Sequence, residues 1–363
     1  MRRHERLNVV WTVTVVGALL ALTGAGAVVA AGNNPNNTAR DADWTMPRTA
    51  YGHPDLQGVW ANNNGTPLQR PAAWAGKERL SDEEFQELMA AVAEATNPGA
   101  DALFGDQLVL AAIERTKATS YDPTTGNYNQ FWIADRYFTK RTSLVVDPPD
   151  GLIPPFTEPA KKRLCKRVKH LMEHPADSWL DRPIPERCIS YGAPFIFPGY
   201  NGYHQIFQTP DHVVIHQEMI HDARVIRLDD ESALDGDVRL WNGDSRGHWD
   251  GDTLVIETSN YSEKNDFMGS SEQLTITERF TLTDAETLEW EVTVNDPGTW
   301  TKPWTASIPL KRTEDAIYEY ACHEGNYGME GMLSGARAEE AANKPKQLDP
   351  GVVFRYPGLA CDF

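Results

Sequence analysis

The sequence predicts a mainly β protein, α+β overall, in which an antiparallel meander forms a barrel or sandwich and N-terminal helices pack on it. Three observations carry this. From residue 200 onward, strand-like runs follow one another at short spacing with no helical pattern between them. Turn signals link the runs: Thr-Pro-Asp at 209–211, Asp-Gly-Asp at 250–252, Asp-Ala-Glu at 284–286 and Asp-Pro-Gly at 296–298. Hairpin-linked strands of this kind build antiparallel sheets. Within one run, Leu288, Trp290, Val292 and Val294 alternate with Thr287, Glu289, Glu291 and Thr293. One face is therefore buried and the other wet.

Taken in chain order, the elements begin with a leader over residues 1–31. Arg2, Arg3 and Arg6 precede an apolar stretch from Val9 to Ala31 that ends in small residues. This is the pattern of a secretory signal peptide, with cleavage after Ala30 or Ala31. The alternative is an uncleaved anchor, since about 20 apolar residues span a bilayer. Residues 32–50 are polar and small and read as a tether. Residues 51–199 form a helical, loop-rich region expected to pack on the barrel. Here residues 53–60 read as a turn entering a short strand. Ser81 and Glu84 make a capping box ahead of Phe85, Leu88, Met89 and Val92 at helical spacing. A second helix is expected over roughly 100–117. A third covers 159–173, with Leu164, Val168, Leu171 and Met172 on one side and a basic row from Lys161 to Lys169 on the other. Residues 200–363 form the antiparallel barrel or sandwich. Its expected strands are 203–209, 212–218, 224–228, 239–241, 253–258, 274–282, 287–295, 304–312 and 317–322.

The chain carries 34 Lys and Arg against 52 Asp and Glu, a net charge of -18. Removing the leader makes it more acidic still. Such a surface repels polyanions, which excludes a nucleic-acid partner. Export places the protein in the periplasm or outside the cell, without membrane contact once the leader is cut. Four cysteines in an oxidising compartment suggest two disulfides. Proximity in sequence favours Cys165–Cys188 and Cys322–Cys361. The oligomeric state is not legible.

Five segments carry a resemblance. They are Asp55-Leu-Gln-Gly-Val-Trp60, Thr66-Pro-Leu-Gln-Arg-Pro71, Glu218-Met-Ile-His-Asp-Ala-Arg224, Gly243-Asp-Ser-Arg-Gly-His-Trp249 and Tyr318-Glu-Tyr-Ala-Cys-His-Glu-Gly-Asn-Tyr327. They resemble a group of secreted bacterial proteins, mostly described as hypothetical, over most of residues 50–340. The resemblance implies export and a β-rich fold and lends no activity. By its turn spacing alone, the meander also looks lipocalin-like.

The densest ionisable cluster in an apolar context is His216-Gln-Glu218-Met-Ile-His221-Asp222-Ala-Arg224. Asp222 and Arg224 are expected to pair, holding the carboxylate ionised. His221 beside them would act as general acid or base. The bland reading is a polar brace at a strand corner. A second cluster is Glu319, His323, Glu324 and Asn326. Glu319 falls on an apolar strand face, where it needs a partner. The alternative for this cluster is a capping loop. No zincin-type spacing occurs, so no metal is expected. Ser245 matches G-x-S-x-G, but a Gly-bracketed β-turn followed by a strand-like His248-Trp249 explains that segment better than a nucleophile elbow does. No Walker loop or dinucleotide fingerprint is present, and no cofactor is expected. The residues therefore suggest an exported, cofactor-independent acid–base enzyme, a lyase, isomerase or hydrolase, acting on a small, largely apolar or aromatic molecule in a barrel cavity. The catalytic candidates are His221, Asp222, Arg224, Glu218, Glu319, His323 and Glu324. The alternative is a lipocalin-like periplasmic carrier of hydrophobic ligands. Convergence of the two clusters discriminates between them.

Overall fold

The computed structural model describes residues 44–96, 101–116, 129–130, 133–198, 200–229, 232–264, 267–344 and 356–362. The leader and the tether up to residue 43 lie outside them. The last tether residues are described, and Trp44 and Met46 there pack against the main core.

The strands are β1 (Gly58–Ala61), β2 (Val145–Asp147), β3 (Tyr203–Gln208), β4 (His212–Gln217), β5 (Ala223–Leu228), β6 (Asp244–Asp250), β7 (Thr253–Ser259), β8 (Thr275–Leu282), β9 (Thr287–Asn295) and β10 (Trp304–Thr313). Nine of these close into a barrel. The order runs from β1 through β3 to β10, and β10 then returns to pair with β1. β2 is an extra strand on β10.

The expected antiparallel meander closes as a barrel, with one pair that departs from the antiparallel pattern. An odd number of strands cannot close with every neighbour antiparallel, so at least one pair must run parallel. That pair is β5–β6, joined by the long crossover of residues 229–243 that a parallel connection requires. The pairing is brief, Arg227 opposite Arg246 and Leu228 opposite Gly247. Side chains bridge the rest of the seam. Asn242 Nδ2 donates to Asp222 Oδ2 at 3.1 Å, and Arg227 Nη2 donates to Asp244 Oδ1 at 3.2 Å.

β3, β4, β5, β7, β8, β9 and β10 lie where the alternation put them. Two expected strands do not form. Residues 239–241 contribute only an isolated bridge between Leu240 and Tyr261. Residues 317–322 are irregular; the strand they follow, β10, already has partners on both sides, β9 on one and β1 and β2 on the other. Conversely, residues 243–247, read as a Gly-bracketed turn ahead of a strand-like His248-Trp249, fall almost wholly within β6, which runs from Asp244 to Asp250. Gly247 fits there because a Cβ would meet Ile226 Cγ2 at 2.9 Å across the seam.

Four helices are described. α1 (Asp82–Ala95) has the expected capping box. α2 (Gln107–Glu114) is shorter than its pattern suggested. α3 (Glu158–Glu173) is capped by Thr157, whose hydroxyl accepts from the Ala160 N–H. α4 (Tyr327–Ala341) was not foreseen; Met329, Met332, Leu333 and Ala336 fall at helical spacing on it but are only half-buried. α3 seats Leu164, Val168 and Leu171 on the same core as Trp60, Trp290 and Trp304. α1 and α2 instead share a separate cluster through Leu88, Val92, Leu108 and Val109.

The cysteines pair as Cys165–Cys361 and Cys188–Cys322, not as expected from sequence proximity. The C-terminal segment returns to α3, where buried Tyr356 lies beside Leu164 near Gly269. The segment after Pro185 meets the one around Asn326, whose Nδ2 donates to Glu186 O at 2.9 Å. Space, not spacing, decides the partners. Replacing Cys165 and Cys361 together by Ala is expected to lower stability by about 2–4 kcal/mol, because the unfolded chain loses a constraint on a long loop. A urea midpoint that does not move would show that this bridge constrains nothing. Both bridges fit an oxidising compartment. Among the described residues, no helix is long and apolar enough to cross a membrane.

Candidate functional site

The barrel interior is apolar through most of its length and polar at one end. There, inward-facing side chains of adjacent strands form a row. His204 on β3 lies opposite Gln217 on β4. The Gln217 N–H donates to Asp222 O at 2.8 Å, bringing in the residue before β5. Asn242, just before β6, completes the row through its bond to Asp222. One step deeper, Ile206 lies opposite Ile215, and Ile215 opposite Arg224. These residues, with Phe280 and Trp290 as floor, line a void of about 10 Å³. That is room for roughly one water. Ala193 and Phe195 wall the same void. They belong to a segment that Cys188–Cys322 staples to the irregular chain after β10.

The charges here are held by specific partners. Arg224 Nη1 and Nη2 donate to Glu278 Oε2 and Oε1 at 2.6 and 2.9 Å. Glu278 is fully buried and also accepts from Trp290 Nε1 at 3.1 Å. Burial works against the Arg224 charge, but contact with the Glu278 carboxylate outweighs it and raises the guanidinium pKa. Burial likewise pushes the nearby Tyr261 phenol upward. His204 is 5% exposed, and its ring meets the Trp290 ring edge-on at 5.5 Å. Burial, seconded by Arg224 and His216, pulls its pKa down to about 3. The imidazole is therefore neutral, and its Nε2 has no hydrogen-bond partner. Asp222 Oδ2 accepts from Ser190 Oγ at 2.6 Å as well as from Asn242.

The sequence-derived candidates separate into two places. Asp222 and Arg224 line the void, although Arg224 pairs with Glu278 rather than with Asp222. His221 is exposed, in a left-handed turn at φ 45°, with Nδ1 2.8 Å from Tyr320 O. His323 approaches it, ring centroids 6.5 Å apart, so the two clusters do converge. Their meeting point is outside the barrel, and His323, Glu324 and Glu319 are exposed. Glu319 thus escapes the burial expected of it, because its segment is not a strand. Glu218 is buried between these places. Its Oε1 accepts from the Tyr318 N–H at 3.3 Å and Oε2 has no partner. Burial raises its pKa. Among the described residues, no group of three or more His, Cys, Asp or Glu side chains is placed to hold a metal ion.

Sequence reasoning missed His204, Gln217, Asn242 and Glu278. Glu278 had a readable signal, a carboxylate on the inward face of β8 between Ile276 and Phe280.

No family model matches the chain. No curated protein matches it either. A solved structure of a secretary abundant heat soluble (SAHS) protein from Ramazzottius varieornatus is similar over 31% of this chain and 70% of that one. Its identity is 17% and its TM-score 0.21, too low for the likeness to bear on function.

Proposed function

We propose that the protein is an exported barrel that binds a small molecule at its polar end. The ligand's apolar body would rest on the floor of Phe280 and Trp290, with its polar group at the row of His204, Gln217, Asp222 and Asn242. The observation that supports this is His204 Nε2, a buried polar atom without a partner beside a void with an apolar floor. Convergent polar groups over an apolar floor are the usual make-up of a ligand site. A void of about 10 Å³ admits only a small head group, so the rest of the ligand takes the place of Phe195 once its segment moves aside. Titration calorimetry against small aromatic and isoprenoid compounds is expected to give one-to-one binding. Ala193→Leu, which fills the wall of the void, should weaken it at least about tenfold. Equal binding by this variant would place the ligand elsewhere.

Acid–base catalysis on the bound molecule is the second reading. It is favoured by the approach of His323 to His221 and by the raised pKa of the partly satisfied Glu218 carboxyl. Chromatography of the same mixtures after incubation tests it. Unchanged ligands would leave the carrier reading.

A further inference from the structure

We infer that the head group received by the polar end of the barrel is uncharged, a hydroxyl or an amide, and that carboxylates, phosphates and ammonium groups are rejected. This rests on the binding-site reading above and adds the ligand's chemical class.

The argument starts from the charges that face the void. Arg224 is the cation there, and both its terminal nitrogens are engaged by Glu278 in a two-pronged pair. A carboxylate or phosphate head would therefore find no uncommitted cation. It would instead meet the carboxylate of Asp222 in the lining of the void. An ammonium head would be drawn to Asp222 but would face the Arg224 guanidinium in the same wall. In a desolvated site, either like-charge approach is costly, and an ion without its own counter-charge is more so. The ring of His204 already reports this environment, since burial and Arg224 together keep it from taking a proton.

The neutral groups point the same way. His204 Nε2 is either a donor or an acceptor, according to which ring nitrogen carries the proton. Gln217 and Asn242 each bring a carbonyl and an amino group to the same row. The Gln217 amide donates to Met219 O at 3.2 Å and the Asn242 amide to Asp222, so both are oriented before any ligand arrives. A hydroxyl or amide is donor and acceptor at once. It satisfies His204 in either tautomer without bringing a charge into the barrel. A purely apolar head would leave Nε2 unpaired.

The test uses the full exported chain with both disulfides intact. Matched probes on one phenylpropyl body carry a hydroxyl, an amide, a carboxylate, an ammonium or hydrogen, and a second set repeats this on an octyl body. Calorimetry is expected to show the hydroxyl and amide members binding at least about tenfold tighter than both charged members. A carboxylate or ammonium member binding as tightly as the hydroxyl member would overturn the inference while leaving the site in place. Absence of binding throughout both sets, with folded protein, would instead remove the site reading itself. His204→Phe should erase the advantage of the hydroxyl over the hydrogen member. If that variant does not fold, the imidazole ¹⁵N resonances of wild-type His204 serve instead. They should shift on adding the hydroxyl member, and unchanged resonances in a saturated complex would overturn the role given to this residue.

Discussion

Glu278→Gln is expected to destabilise the protein by about 3–5 kcal/mol. Glutamine keeps the shape and an acceptor for Trp290 Nε1, but it removes the charge that faces Arg224. It also turns an amino group toward a guanidinium, donor against donor. Arg224 would then be a buried cation without a counter-ion, which is far worse than losing the pair altogether. That contrast gives the control. Replacing both residues at once, Arg224→Met with Glu278→Leu, should cost less than Glu278→Gln alone, because no uncompensated charge remains. Urea denaturation of the three proteins measures both statements. A loss below about 1 kcal/mol in Glu278→Gln would mean that water or another group reaches Arg224.

Acid should weaken the fold through His204. Unfolded, this histidine titrates near its ordinary value of 6.5; folded, it titrates near 3. Between these limits the unfolded chain holds a proton that the folded chain refuses, so lowering the pH favours unfolding. The contribution is intact above about pH 6.5 and declines toward pH 3. Its slope approaches about 1.4 kcal/mol per unit, of the order of 5 kcal/mol in all. Glu218, with its raised pKa, acts in the opposite sense as the pH falls, so the wild-type slope alone is a mixture. Comparing wild type with His204→Phe between pH 4 and 6 isolates the histidine. Parallel stability profiles would show that His204 is not buried in the neutral form.

The β-rich architecture was legible because its strands keep one face apolar for most of their length, β9 and β8 most plainly. The parallel seam was not, because nothing local in β5 or β6 encodes it; it follows from closing an odd ring. Residues 317–322 alternate like a strand, yet a strand needs a free neighbour, and that is a property of the finished sheet. At the candidate site, dense ionisable sequence pointed to 216–224 and so reached Asp222 and Arg224. It also drew in His221, which the left-handed turn carries outward. The partner of Arg224 lies 54 residues away on β8. His204 stands alone among uncharged neighbours. Such residues are found by asking which polar side chain breaks the buried face of a strand, not where polar residues crowd together.

The two disulfides are nested, Cys188–Cys322 inside Cys165–Cys361. The inner bridge makes a covalent hoop that contains β3 through β10, whereas β1 reaches the barrel from outside it. Eight of the nine staves are therefore enclosed by one covalent loop even in the unfolded, oxidised chain, and the ninth is joined to them by a single run of backbone. A peptide bond cut anywhere between Cys188 and Cys322 frees no fragment, so nicked molecules keep all their staves for reassembly. A cut on the N-terminal side of Cys165, between β1 and α3, can shed the one stave that seals the ring.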